Sequence, residues 1–474
     1  MEGKDITSVQ NVNDVFKKLK ENEINLRRSN VGERKRKLKS LLNTIEKNSK
    51  KIEQAIYKDF KKSSSEVKLT EIFTVTSEIK HVLKNLNSWT QPVKVAAPIT
   101  LLGSSNKIIY QPKGIVLIIS PWNYPFQLAV GPLITAFAAG NGVVIKPSEI
   151  SPNTSEIIAE IISEVFMPDE VSVVQGGKEI AEALLELPFD HIFYTGSGTV
   201  GKIVMKKAAE NLAGVTLELG GKSPVVIDKS ADIKNAAYKI AWGKFLNAGQ
   251  TCIAPDYVLV PQAIENEFID SLKSVIFKMY GNIDEIKSNP DYCRIINSRQ
   301  FLQLKYLVND AVKRGDAIEC GGKFDEKENF ISPTVITSVS LDSEIMKTEI
   351  FGPLLPVITY NKMDDVVDII SKNPYPLSLY LFSKDKKFTD DLINRVSSGG
   401  VCINDVVVHF ANYNLPFGGI KYSGFGNGHG YFGFKTFSHE RAVMKQTKFT
   451  TTRFFYPPFT ERVKKLIDLV IKYF

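Results

Sequence analysis

An α/β fold with doubly wound parallel sheets is predicted by three observations. Short aliphatic runs, Ile115–Ile119 first among them, are apolar at every position, as strands covered on both faces must be. Segments with three- and four-residue apolar spacing alternate with those runs, and the links between them are short. With 474 residues the chain exceeds one ordinary core, so about three domain-sized units are expected.

The elements follow in order. From 31 to 86 the spacing is helical: Leu38, Leu41, Leu42 and Ile45, then Ile52, Ala55 and Ile56, then Ile72, Val75, Ile79, Val82 and Leu83 recur one turn apart. Between 89 and 111, Pro, Thr, Ser and isolated β-branched residues predict extended structure or an edge hairpin. The apolar stretch 128–139 contains Gly131, Pro132 and Thr135. It falls short of the roughly 20 residues that span a bilayer and reads as a buried helix.

A strand at 143–145 leads to a helix opened by Ser151 and Pro152 and packed through Ile157, Ile158, Ile161 and Ile162. Strands at 171–174 and 192–194 and helices at 178–187 and 199–210 continue the alternation. The second half repeats it, with strands at 225–227, 257–260, 355–358 and 379–382 and helices at 264–280, 299–314 and 364–372. After 408, Gly and aromatic residues predict loops. The tail 459–474 is helical again. Val463, Leu466, Ile467, Val470, Ile471 and Phe474 form one side, and Glu461, Lys464, Lys465, Asp468 and Lys472 fall mostly on the other. Such a stripe docks on its own protein or a subunit partner, or lies on a membrane surface.

Composition excludes several function classes. The formal charge is +8, but the basic residues are interleaved with acids, and the densest run, Arg34 to Lys37, lies within a helical pattern. A solvated face and no nucleic-acid partner follow. The four cysteines, 252, 293, 320 and 402, lack CxxC spacing, and the five histidines lack ligand spacing, so neither a disulfide framework nor a metal site is expected. Residues 1–7 lack the apolar core of a signal peptide, and a cytoplasmic protein is the expectation.

Two islands carry chemistry. Asn247, Ala248, Gly249, Gln250 and Thr251 lead up to Cys252, and Glu218 stands in the upstream island 217–221. A thiol is a strong nucleophile only as thiolate, and a carboxylate takes its proton or activates water, so the two together suit acyl chemistry. A third pattern, Gly196-Ser197-Gly198-Thr199-Val200-Gly201, follows a strand and opens a helix, as in a dinucleotide fingerprint whose helix N-terminus faces a pyrophosphate. The fingerprint reading gives Glu218 to ribose hydroxyls and the other gives it to water. Spacing leaves both open.

Six motifs, in order and at the expected spacing, resemble the aldehyde dehydrogenase superfamily. They are Pro121-Trp122-Asn123-Tyr124-Pro125, Lys146-Pro147-Ser148-Glu149, Leu217-Glu218-Leu219-Gly220-Gly221, Gly249-Gln250-Thr251-Cys252, Glu349-Ile350-Phe351-Gly352-Pro353 and Leu415-Pro416-Phe417-Gly418-Gly419. The Lys-Pro-Ser-Glu form, the short N-terminus and the run 252–257 are similar to its class 3 branch, dimeric enzymes acting on aliphatic and aromatic aldehydes. The resemblance covers about 30 to 445.

It implies a Rossmann-like parallel-sheet NAD(P)-binding domain over 1–87 and 111–216 and an α/β catalytic domain over 217–408. A small β bridging or oligomerisation unit over 88–110 and 409–450 and an amphipathic tail over 451–474 complete it. By resemblance Cys252 is the nucleophile, Asn123 and the Cys252 N–H hold the oxyanion, and Glu218 activates the water. Lys146 and Glu149 take the adenosine ribose, which favours NAD, with NADP also admitted by this branch. Glu349 takes the nicotinamide ribose, Phe351 packs near the ring, and Trp122 and Ser197 approach the adenine half, with Gly196 and Gly201 in the turn that opens the helix. Tyr124, Trp242 and Phe417 line a substrate funnel.

One position departs from the family: Gly198 stands where Thr is common. The apparent fingerprint is thus partly accidental, and the ribose assignment of Glu218 falls. The expectation is oxidation of medium- or long-chain aliphatic or aromatic aldehydes to acids through a cysteine thiohemiacetal and thioester. The alternatives are a CoA-acylating dehydrogenase and a catalytically silent protein of the same fold. A homodimer is expected, with peripheral membrane contact through the tail.

Overall fold

The computed structural model describes residues 9–448 and 450–473. Residues 1–7, read above for a leader, and Phe474 of the tail stripe lie outside the described residues.

Two parallel sheets dominate. The first runs Val171–Val173, Gly142–Lys146, Ile115–Ile119, His191–Thr195, Gly214–Glu218, so the earliest strand lies in the middle and the order reverses on either side of it. A short strand, Gly424–Phe425, adds antiparallel beyond Gly214–Glu218. Alternate residues of each strand face opposite cores. Val116 and Ile118 pack with the helices Gln127–Ala139 and Pro152–Val165, while Ile115 and Leu117 pack with Val9–Arg28, Lys178–Leu185 and Gly198–Glu210. This explains the continuous apolar runs. The helix Val9–Arg28 was not expected, because among its described side chains only Val12, Leu19 and Leu26 are buried, one every second turn in a strongly charged segment.

The helical stretch 31–86 resolves into Val31–Lys47, Ser49–Phe60 and Phe73–Trp89. Between the last two the chain makes one wide turn in which the Phe73 N–H reaches back to Lys68 O. The second sheet runs Ala317–Cys320, Thr334–Thr337, Leu354–Tyr360, Tyr257–Pro261, Pro224–Ile227, Ser378–Phe382, Gly400–Ile403 and is parallel apart from the first of these. It contains the four predicted strands and three more.

A third, antiparallel sheet joins Val93–Val95, Ser105–Pro112 and Ser438–Lys445, which realises the hairpin predicted near 89–111. Segment 409–450 thus serves two sheets, and Gly214–Glu218 stays with the first sheet two residues past the expected boundary at 216. The tail helix Glu461–Tyr473 lies beside Pro98, Ile99 and Thr100, with Val463, Leu466, Ile467 and Val470 half-buried. Among the described residues no helix is long and apolar enough to cross a membrane.

Candidate active site

Three chain crossings meet beyond the C-terminal ends of the first sheet, where open α/β sheets bind ligands. The strand Ile115–Ile119 runs into the loop bearing Trp122, Asn123 and Tyr124; Gly214–Glu218 ends on Glu218; and Cys252 lies between the helix Ile233–Phe245 and the strand Tyr257–Pro261.

The approach to Cys252 is conformationally unusual. Asn247, Ala248 and Gly249 all have positive φ (54°, 50° and 74°). At Gly249 a Cβ would sit 2.2 Å from Gly352 O, so the last of the three admits no side chain. Hydrogen bonds hold the turn. The Asn247 N–H donates to Glu66 Oε1 at 2.8 Å, and its Nδ2 donates to Asn123 O and Gln250 O at 2.9 and 3.0 Å. Gln250 Nε2 donates to Asn247 O and Arg294 O, both at 3.0 Å. Asn123 Nδ2 donates one hydrogen to Gln250 O at 3.0 Å. That anchor orients the amide and leaves its second hydrogen free for an oxyanion.

Behind this turn lies a buried ion pair, Lys62 Nζ to Glu71 Oε1 at 3.2 Å, with both side chains fully buried. Glu71 Oε2 also accepts the Phe126 and Gln127 N–H groups at 3.1 and 2.9 Å, capping the helix that follows the Asn123 loop. Lys62 Nζ stands 4.0 Å over the Tyr124 ring, and the Tyr124 hydroxyl meets Thr251 Oγ1 at 2.7 Å.

Cys252 and Glu218 border one cavity of about 40 Å³, together with Phe193, Leu377, Phe417 and Gly428. Both Glu218 oxygens lack a hydrogen-bond partner. The nearby Gly428 N–H already donates to Phe417 O at 2.7 Å, so it offsets little of the desolvation that raises the Glu218 carboxyl well above its usual range. Cys252 retains some surface, but its thiol is desolvated. Burial first, then the carboxylates of Glu349 and Glu218, push it up to about 12.

Glu349 is itself pushed up to about 8 by burial and Asp256, and its Oε1 is buried without a partner. Lys222 holds this region: it pairs with Asp256 and donates to Ile345 O and Thr348 O at 2.7 and 2.9 Å, while Asp256 Oδ2 accepts the Ile350 N–H at 3.0 Å.

The cofactor positions divide between two grooves. Lys146 Nζ bonds Glu149 Oε2 at 2.6 Å beside a groove of about 950 Å³ that Glu149 lines with Pro147, Ser155, Phe166 and Gly176. Glu349 lines a second, of about 300 Å³, with Gly198, Gly220 and Gly221. A dinucleotide fits this arrangement: the orphaned Glu349 Oε1 seeks a donor such as a ribose hydroxyl, and open space above Gly177 and Gly198 admits close approach. Ser197 caps the helix Gly198–Glu210 by accepting from the Val200 N–H, and the Gly196 N–H donates to Glu218 O at 3.0 Å. At Gly201 a Cβ would lie 2.8 Å from Leu219, so close helix–strand packing accounts for that glycine.

Trp122 packs edge-on against Phe351, ring centroids 5.3 Å apart, and is not among the residues lining the groove beside Lys146 and Glu149. Of the three funnel residues, Phe417 borders the cavity. Tyr124 is buried behind Thr251, and Trp242 is half-buried in the neighbouring core. Sequence reading did not single out Lys62, Glu66, Glu71, Glu78 or His429. Glu66, Glu71 and Glu78 are charged residues within helical segments and Lys62 lies in the link after Ser49–Phe60, all places where a charged side chain predicts solvent, and His429 lies in a glycine-rich loop.

Fold and site together define a class: a two-sheet α/β enzyme in which a buried cysteine and an unpartnered glutamate flank a crevice shaped for a dinucleotide. The pattern of the aldehyde dehydrogenase family matches residues 5–443, and the chain belongs to that family of oxidoreductases. It is 44% identical over 433 residues to the putative aldehyde dehydrogenase AldX of Bacillus subtilis, covering 91% of this chain and 97% of that one. It is 44% identical over 431 residues to the 4,4'-diaponeurosporen-aldehyde dehydrogenase of Staphylococcus aureus (91% and 93%), and 41% over 430 to aldehyde dehydrogenase family 3 member A2 of Mus musculus (90% and 87%). Among solved structures, the substrate-bound state of Staphylococcus aureus AldH superposes with a TM-score of 0.93 at 42% identity, covering 97% and 99%. A Mycobacterium tuberculosis aldehyde dehydrogenase complexed with NAD+ gives 0.85 at 25%, covering 94% and 92%.

Proposed function

We propose that this chain oxidises medium- or long-chain aliphatic or aromatic aldehydes to carboxylic acids with NAD, and with NADP to a lesser degree. The observation that carries the reading is the shared cavity: Cys252 and Glu218 border it, and both oxygens of Glu218 are free of protein partners. The names of two relatives, a 4,4'-diaponeurosporen-aldehyde dehydrogenase and a probable coniferyl aldehyde dehydrogenase, support the substrate class.

The Cys252 S–H bond breaks, its proton passing to water, as Sγ adds to the aldehyde carbon, and the oxyanion that forms takes the free amide hydrogen of Asn123 and the Cys252 N–H. NAD held by Glu349 and the Lys146–Glu149 pair would supply the acceptor for the aldehyde hydride. Cys252 then carries a thioester. Glu218 withdraws a proton from a water in the cavity, the water oxygen joins the thioester carbon, and the C–S bond breaks to release acid and thiol. Glu349 and the Lys146–Glu149 pair orient the two riboses, and a carboxylate at 149 disfavours an added 2′-phosphate.

Segments 1–87 and 111–216 form the cofactor unit in this reading, 217–408 the catalytic unit, and 88–110 with 409–450 the dimer unit. The enzyme is cytoplasmic, and its tail contacts membranes. An aldehyde panel with NAD and NADP tests the substrate reading. Glu218→Gln tests the base: one NADH per site should appear in a burst, followed by slow turnover, and an unchanged steady rate removes Glu218 from that role.

A further inference from the structure

The wall of the cavity shared by Cys252 and Glu218 carries a titratable pair that the mechanism above leaves unused. His429 borders that cavity. It stands at φ 64°, in the left-handed region, where the chain enters the helix Gly430–Thr436. Its Nδ1 lies 3.2 Å from Oε2 of Glu78, and Oε1 of Glu78 accepts the Gly430 N–H at 3.1 Å. Glu78 is only 2% exposed and projects from the helix Phe73–Trp89. A carboxylate accepts but does not donate, so it fixes the hydrogen on Nδ1 and leaves the lone pair on Nε2. Nε2 makes no hydrogen bond among the described residues.

Glu218 is close by. Its Oε1 lies 3.6 Å from where a Cβ on Gly428 would be, and Gly428 directly precedes His429. The other titratable groups around the imidazole are Cys252 across the cavity and the Tyr413 ring at 6.2 Å, beyond which His81 packs at 5.5 Å from Tyr413. Each turnover leaves Glu218 with a proton that it must lose before the next, and neither of its oxygens has a protein group to pass it to.

We propose that His429, held by Glu78, takes the proton from Glu218 and passes it to solvent. The proposal rests on the reading of Glu218 as the base. One O–H bond of the water breaks as its oxygen bonds the thioester carbon, and that proton forms the Glu218 carboxylic acid. The acid proton moves to the Nε2 lone pair, through water in a cavity of about 40 Å³, and Glu218 returns to carboxylate. The imidazolium, paired with Glu78, releases the proton to bulk water and becomes neutral again. No electrons move in this sequence; the hydride has already left. The charge that forms on the ring faces Glu78 Oε2 at 3.2 Å, so the imidazolium is made next to a partner already in place.

The test uses the full-length enzyme with benzaldehyde and NAD, and compares wild type, His429→Asn, Glu78→Gln and Glu218→Gln. Asn tolerates the left-handed backbone, and Gln at 78 keeps an acceptor for the Gly430 N–H. Rapid mixing reads the NADH burst, which reports assembled Cys252, Asn123 and cofactor site, and the steady rate reads acid release. His429→Asn should keep its burst and lose steady rate on the order of 10²-fold, the usual scale of a lost proton-transfer group. Added imidazole should restore much of that loss in His429→Asn and none in Glu218→Gln. Glu78→Gln should keep its burst and slow less than His429→Asn. An unchanged steady rate in His429→Asn, or a joint loss of burst and steady rate without an imidazole response, overturns the relay. An unchanged steady rate in Glu218→Gln would overturn the base reading instead, whatever His429→Asn does.

Discussion

At Cys252, burial, Glu349 and Glu218 all act in one direction, raising the thiol to about 12. Free enzyme near neutral pH therefore holds almost no thiolate, and iodoacetamide labelling of Cys252, followed by mass spectrometry, should keep rising through pH 10 with no plateau near 8.5. Glu349→Gln removes one of the two opposing charges and should speed labelling at pH 8; slower or equal labelling would dismiss the electrostatic account. Asn123→Ala removes an oxyanion donor worth about 3 kcal/mol, so kcat should fall on the order of 10²-fold with the protein still folded. Glu66 makes a different prediction. Burial raises its carboxyl to about 7, although Lys62 and the Asn247 N–H oppose the shift. The folded state then binds more protons than the unfolded one between about pH 4.5 and 7. This group's contribution to stability falls as pH rises through that window. In Glu66→Gln the pH dependence of Tm over that range should flatten, and a steeper dependence would refute it. None of the Lys62, Glu66, Glu71 or Glu78 roles was legible in the sequence, since a charged side chain in a helical pattern predicts solvent and no local spacing marks these four as buried. Cys252 and Glu218 were legible because islands of small and polar residues surround them, and Asn123 only through the family resemblance of its Pro-Trp-Asn-Tyr-Pro loop.

Elements decide how these side chains meet. The left-handed run Asn247-Ala248-Gly249 turns the chain sharply between the helix Ile233–Phe245 and the strand Tyr257–Pro261, which brings Gln250 under Asn123 and Cys252 into the cavity. Gly249→Ala meets both a φ of 74° and a backbone oxygen at 2.2 Å, so it should cost well over the ~1 kcal/mol of the φ term alone and abolish turnover. Thermal melts and the burst amplitude would check both halves. The wide turn at Lys68–Ile72 faces Glu71 inward, where it pairs with Lys62 and caps the helix Gln127–Ala139. Glu71→Ala leaves a buried ammonium unpaired and should cost about 3–5 kcal/mol, read as a drop in the urea midpoint at constant m. Strands were the most legible elements because both faces are covered and every residue is apolar. The helix Val9–Arg28 was not, because it touches the sheet through one narrow stripe.

For the whole molecule, the two large sheets enclose the site, while the third sheet and the tail stay on the outside. Val93–Val95 is exposed along its length, and Ser438–Lys445 nearly so. The three-stranded sheet thus has two edge strands, one short and one rich in charge, features that blunt an edge and leave pairing with a second copy to be tested. Isolated β-branched residues made Val93–Val95 and Ser105–Pro112 legible, whereas Ser438–Lys445 falls in the stretch after 408 whose Gly and aromatic residues predicted loops, and no sequence pattern says what lies across an edge. The tail helix extends this surface. Its stripe is half-covered by the 98–100 turn, yet Ile471 is 76% exposed and Leu469 53%, and Phe454, Tyr456 and Phe459 ahead of it are also exposed. Arg462, Lys464, Lys465 and Lys472 outnumber Glu461 and Asp468 on the same helix. Apolar area beside cationic charge suits an anionic lipid surface, each basic residue near it contributing about 1 kcal/mol. The helix also contributes no residue to the lining of the Cys252 cavity. Deleting 459–474 should therefore leave the NADH burst with benzaldehyde intact while reducing retention on phosphatidylserine vesicles in a sedimentation assay. Retention of the full chain should weaken with added salt, as screened charge requires. Equal retention with and without the tail would confine that helix to packing against its own chain or a second copy, and light scattering of the two proteins would then distinguish a dimer that needs the tail from one held by the sheet edges.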